Sequence, residues 1–197
     1  MLPKPAAEIH VAMNPFTAGD VAAILREQGW LRLEDEAASA WGLHLFTLTS
    51  EGETATNWTG EAAALLGPRA ENREAFARLL ALVFEYDAHA VLASRECQEV
   101  LGRDGARQVL RALATEILAG GPVDSNRLKE IVTAVKARRA YSSREIFHPL
   151  RVALAGRVGG GELDRVVLLI DRAARTEGLA PVKSVRTRIL EFCAALD

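Results

Sequence analysis

The chain has 197 residues, 49% of them apolar and 25% charged, a balance that fits a globular protein with a substantial core and excludes intrinsic disorder. No apolar run approaches the roughly 20 residues that cross a bilayer, and the opening MLPKPAAEIHVAMNPF lacks a signal-peptide apolar stretch, so a cytoplasmic protein without a membrane partner is expected. The formal net charge of −2 conceals a division: residues 127–188 hold 14 Lys and Arg against 6 Asp and Glu, a local balance of +8, which leaves −10 for the rest and makes this stretch a candidate footprint for a polyanion.

Residues 1–70 read as a small mixed α+β segment. Asp20 is placed to cap a helix, DVAAILREQG, with Val21, Ile24 and Leu25 on one face and Gly29 as its stop. The alternating run LHLFTLT (43–49) predicts a strand entering the turn SEGET. Trp30, Trp41 and Trp58 are expected to pack a thin core, with base stacking as the competing use. Gly67 and Pro68 mark a boundary, after which residues 71–197 form a helical domain.

Within it, Phe76, Leu79, Leu80, Val83 and Phe84 recur at helical spacing, as do Val109, Leu110, Leu113 and Ile117. Gly120, Gly121 and Pro122 close the latter helix. The next, DSNRLKEIVTAVKARRA, turns Leu128, Ile131, Val132 and Val135 inward. Two more follow: LDRVVLLIDRAARTEG, ended by Gly178, and KSVRTRILEFCAAL. Cys97 and Cys193 sit in apolar helical patterns as small buried hydrophobes rather than a disulfide.

Converging catalytic chemistry is absent from the pattern. The four histidines (His10, His44, His89, His148) are isolated, and there is no HExxH, CxxC, phosphate-cradling GxxxxGK[ST] or GxSxG. No cofactor, metal or enzymatic activity is expected.

The stretch REIFHPLRVALAGR (144–157) carries the remaining signal. Proline suits the first helical position, so Pro149 is expected to start a two-turn helix that Gly156 ends. Leu150, Ala153 and Leu154 would face inward with Phe147, and Arg151 would emerge near the helix start, where a guanidinium beside outward amides favours phosphate or a base edge. The competing reading pairs Arg151 with a carboxylate of a neighbouring helix.

REIFHPLRVALAGRVGGGELDRVVLLI resembles the C-terminal anticodon-binding region of bacterial-type glutamyl-tRNA synthetases, and the preceding VLASRECQEVLGRDGARQVLRALATEIL and DSNRLKEIVTAVKARRAYSS are similar to the helices leading into it. The resemblance covers residues 73–196; its specific part is Pro149 to Gly156. It departs at Ala155, where the family has a hydroxyl residue, and at IDRAAR (170–175). It implies a mainly α fold: a helical bundle or cage similar to a class I synthetase anticodon-binding domain, preceded by the small mixed segment. Neither a HIGH-type nor a KMSKS-type signature occurs, so the implied function is a non-catalytic, stand-alone tRNA-binding module with a regulatory or delivery role. The resemblance implies that Arg151 contacts an anticodon base or its phosphate, that Arg144, Arg157, Lys136, Arg138 and Arg139 position the RNA backbone, and that Tyr141 and His148 supply stacking faces. The competing reading is a protein-interaction scaffold that keeps the helical cage but does not bind RNA, its basic region covered by the acidic residues 1–126 or by a second copy.

Overall fold

In a computed structural model that describes residues 15–32 and 54–196, the first helix, α1 (Ala18–Glu27), opens on Thr17 rather than Asp20. The Thr17 side chain accepts the Asp20 amide while the Asp20 carboxylate accepts the Thr17 amide at 2.8 Å, a reciprocal capping box that makes Asp20 the second half of the cap. Val21, Ile24 and Leu25 are its buried face, and Gly29 leaves it at φ 71°, as expected. The predicted strand 43–49 and Trp41 lie outside the described residues. Among those described, the backbone forms helices and two isolated bridges, Leu31 with Leu179 and Thr54 with Glu177.

The chain continues through α2 (Ala55–Leu66), a 3₁₀ turn (Gly67–Arg69), α3 (Arg73–Phe84), α4 (Ala88–Ala93), α5 (Arg95–Leu101) and α6 (Ala106–Ala119). Then come α7 (Ser125–Arg138), α8 (Ser143–Ala155), α9 (Gly161–Ala173) and α10 (Val185–Leu196). Thr54, Asn72, Asp87, Ser94 and Asp124 each cap the helix that follows with a side-chain oxygen, so short polar residues rather than proline set most helix starts. The fold is mainly α.

Two apolar clusters hold it together. One gathers Val109, Leu110, Leu113, Ile131, Val135, Ile146, Leu150, Leu154, Ile170 and Phe192 from α6 to α10, with Cys97 fully buried among them. The other joins Val21, Ile24, Leu25, Trp58, Leu66, Phe76, Leu80 and Val83 to Ala155 and to Leu163, Val166, Leu169 and Ala173 of α9. Each fully buried Leu, Ile or Phe contributes about 1.5–3 kcal/mol. Trp30 stacks on Phe84 with ring centroids 4.9 Å apart, and Trp58, fully buried, donates its indole N–H to the Leu169 carbonyl at 3.3 Å. Both tryptophans are packing residues.

Two buried polar side chains lock helix ends. Arg188 is fully buried and meets carbonyls instead of a carboxylate: Nη1 donates to Leu82 O at 2.8 Å and Leu154 O at 2.7 Å, Nη2 to Val83 O, and Nε to Lys183 O at 3.0 Å. It satisfies the terminal carbonyls of α3 and α8, the negative ends of both helices. Burial pulls its pKa down to about 10, so it stays charged at neutral pH. Asp171, inside the IDRAAR departure, accepts Val123 N at 2.6 Å and Val185 N at 2.7 Å, tying the approach to α7 and the start of α10 to α9.

Candidate nucleic-acid interface

Helix α8 begins at a different place from that expected. Ser142 is its N-cap: its hydroxyl accepts Glu145 N at 3.3 Å, and the Glu145 carboxylate accepts Ser142 N at 2.7 Å. Pro149 therefore lies inside a thirteen-residue helix, where its ring leaves the Glu145 carbonyl without the usual amide four residues on. Gly156 does end the helix, at φ 73°. The capping-box pair outcompetes the proline as a start signal because it satisfies two end amides, whereas proline at a first position only avoids losing one.

This changes the setting of Arg151. It sits deep in the helix, away from the outward amides, and its guanidinium grips Asp164 of α9: Nε to Oδ1 at 2.8 Å and Nη2 to Oδ2 at 2.9 Å. Nη1 donates to Gly159 O at 3.1 Å, and the guanidinium carbon stands 5.4 Å from the Phe147 ring centroid. The residue acts as a brace between α8 and the glycine loop leading into α9.

The other expected site residues divide into two sets. Arg138 pairs with Glu116 at 2.6 Å, and Arg157 stands 3.8 Å from Glu96, whose second oxygen accepts Val158 N at 3.0 Å. Tyr141, Arg144 and His148, by contrast, converge on a cavity of about 290 Å³ between the α5–α6 turn and the start of α8. Arg139 lies over the Tyr141 ring, 5.8 Å from its centroid, and Lys136 donates to Ser143 Oγ at 3.4 Å, so both stand beside the same wall.

Arg103 completes the cavity and was not singled out from the sequence. Its only local signal is a basic residue in the glycine-bounded turn GRDG. Nη1 of Arg103 donates to His148 Nδ1 at 2.8 Å, which requires a neutral ring with its proton on Nε2. Desolvation, reinforced by the positive charges of Arg103, Arg144 and Arg151, holds the His148 pKa below its ordinary 6.5. Gly105, at φ 79°, lets the turn pass close to Tyr141: a Cβ there would stand 3.9 Å from the ring edge. Apolar Val100 and Val109 line the same hollow. The arrangement offers an aromatic face, a neutral imidazole and two guanidinium groups, Arg103 and Arg144, that meet no carboxylate among the described residues; two acids, Asp104 and Glu145, share the lining, Glu145 being engaged in the Ser142 cap. Chemically it suits a flat, hydrogen-bonding group attached to an anion.

The described residues hold no cluster of His, Cys, Asp and Glu suited to a metal ion, and no helix of theirs is long and apolar enough to cross a membrane. Residues 32–177 match the model of the anticodon binding domain family. Over 77 residues the chain is 32% identical to the glutamate–tRNA ligases of Bacillus cytotoxicus and of Bacillus cereus strain ATCC 14579, and 31% identical to that of Bacillus anthracis, covering 39% of this chain and 16% of each ligase. The chain thus spans about a sixth of the length of these relatives. No solved structure matches it. On the family match, which takes in most of the sequence, the chain belongs to the anticodon binding domain family.

Proposed function

We propose that the chain is a non-catalytic tRNA-binding module that takes an RNA segment at the cavity beside α8, in a regulatory or delivery role. The observation that carries this reading is the convergence of Tyr141, Arg144, His148 and Arg103 on one hollow, with both arginines free of carboxylate partners among the described residues. Stacking on an aromatic ring contributes about 1–3 kcal/mol per base, and each guanidinium gives a charge-assisted contact to phosphate. Arg139 and Lys136 continue the cationic track toward the backbone of the same strand. Fluorescence anisotropy with bulk tRNA at two salt concentrations tests it. Four phosphate contacts give a log–log salt slope of about −3 for single-stranded RNA. Arg103→Ala with Arg144→Ala weakens binding, while Arg26→Ala on α1 leaves it unchanged; a flat salt response, or equal losses from both, overturns the proposal.

A second reading, an interaction scaffold without RNA, has one observation in its favour. Arg138, Arg151 and Arg157 are already neutralised by Glu116, Asp164 and Glu96. The same titration decides it: a chain that does not bind tRNA at low salt is the scaffold.

A further inference from the structure

A second groove, of about 420 Å³, opens on the α7–α9 side of α8, away from the Tyr141 cavity. Its walls are aliphatic: Leu128 and Val132 from α7, Leu168 from α9. Three cations from three separate elements reach it, Arg69 from the 3₁₀ turn, Lys129 from α7 and Arg165 from α9. All three are exposed, and none has an ion-pair partner among the described residues. The one acid in its lining, Asp164, is neutralised by Arg151. Mobile charges on one sequence-local helix face are ordinary solvated surface; three unneutralised ones brought together over apolar walls by different elements are not.

The chemistry of this groove differs from that of the cavity. Its single aromatic residue, Phe147, is half-buried and already carries the Arg151 guanidinium over its ring, so it offers a base far less than Tyr141 does. Aliphatic walls with a cationic rim instead complement a peptide that presents apolar side chains flanked by carboxylates: the apolar groups desolvate the walls and the acids meet Arg69, Lys129 and Arg165. We infer that this groove is a docking surface for an acidic, aliphatic-bearing segment of a partner protein, separate from the RNA-binding cavity. A chain with both sites would join a nucleic acid to a protein.

The test uses the full chain and a short fluorescein-labelled peptide of repeating Glu-Glu-Leu-Leu, with an isomer in which every Glu is Gln. At physiological salt the acidic peptide binds and the Gln isomer binds about tenfold more weakly. Lys129→Ala with Arg165→Ala, both exposed and therefore neutral for folding, weakens the acidic peptide about five- to tenfold, whereas Arg103→Ala with Arg144→Ala does not affect it. Equal binding of the two peptides, or no effect of the groove substitutions, overturns the inference. Titration of bulk tRNA into the same variants keeps the two sites apart: loss of tRNA affinity on the Lys129 and Arg165 substitutions makes the groove an RNA surface and removes the protein-docking role, while a cavity variant that loses tRNA but keeps the peptide leaves it standing.

Discussion

Arg151 and Asp164 meet edge to edge, with Nε–Oδ1 and Nη2–Oδ2 separations of 2.8 and 2.9 Å, and side chains only 13% and 26% exposed. A planar fork of this kind aligns two donors on two acceptors, which a lysine ammonium cannot reproduce. Arg151→Lys is therefore expected to lower stability by about 1 kcal/mol, read as a drop in the urea midpoint at unchanged slope. Its effect on tRNA affinity should be smaller than that of Arg144→Ala, since the guanidinium is committed within the protein. A larger affinity loss at Arg151 would show that RNA displaces Asp164.

The sequence made the helical part of this architecture legible because burial follows a 3.6-residue period: Phe76, Leu80 and Val83, then Val109, Leu113 and Ile117, then Leu128, Ile131 and Val135 are all buried as the spacing predicts. The start of α8 lies at Ser142 and not at Pro149, and the sequence carries its signal in the capping-box pair Ser142 and Glu145, three residues apart. The lining of the candidate cavity was legible only in its sequence-local part. Tyr141, Arg144 and His148 are near in sequence and share one helix approach, whereas Arg103 lies 45 residues from His148 and only tertiary packing brings it there. Local pattern likewise gives no sign that Arg188 would bury itself among carbonyls, because an arginine in a helix usually reads as a solvated charge.

That burial makes Arg188 a sensitive polar position. Arg188→Met fills much of the same space but leaves the Leu82, Val83, Leu154 and Lys183 carbonyls without this donor. The expected loss is about 3 kcal/mol or more, measured by urea unfolding. Arg188→Lys should fall between, keeping the charge but not the reach to four acceptors. A fully stable Met variant would mean that water replaces the guanidinium.

Gly156 ends α8 at φ 73°, and a Cβ on it would come within 2.9 Å of Val91 Cγ2. Gly156→Ala combines left-handed strain with that contact, and a loss of about 1–2 kcal/mol in chemical denaturation is expected. Gly121→Ala serves as the comparison, because its added methyl meets nothing within 4 Å and its φ is not in the left-handed range. Similar losses at both positions would argue against the strain account.

His148 supplies a pH dependence. Its folded pKa lies below the ordinary 6.5, so the unfolded chain takes up the proton first as pH falls. Its contribution is full above pH 6.5, declines as pH drops through 6.5 toward the folded value, and is level below that. Thermal unfolding across this window should show the decline, and His148→Gln should flatten it. An RNA phosphate beside the ring has the opposite influence, raising the pKa, so tRNA affinity in the wild type is expected to strengthen on mild acidification. Identical pH profiles for wild type and His148→Gln would remove both claims.

The hydrogen bond from the Trp58 indole to the Leu169 carbonyl has a practical corollary. Leu169 sits five residues along α9 from Asp164, and α9 carries the wall of the groove on one side and the Trp58 pocket on the other. Any ligand that nudges this helix along its axis alters the dipole facing an indole sealed from solvent. Trp58 is thus a built-in optical gauge: the emission lost on Trp58→Phe isolates its signal, and its wavelength reports, without a label, whether an occupant of the groove has moved the rod behind it.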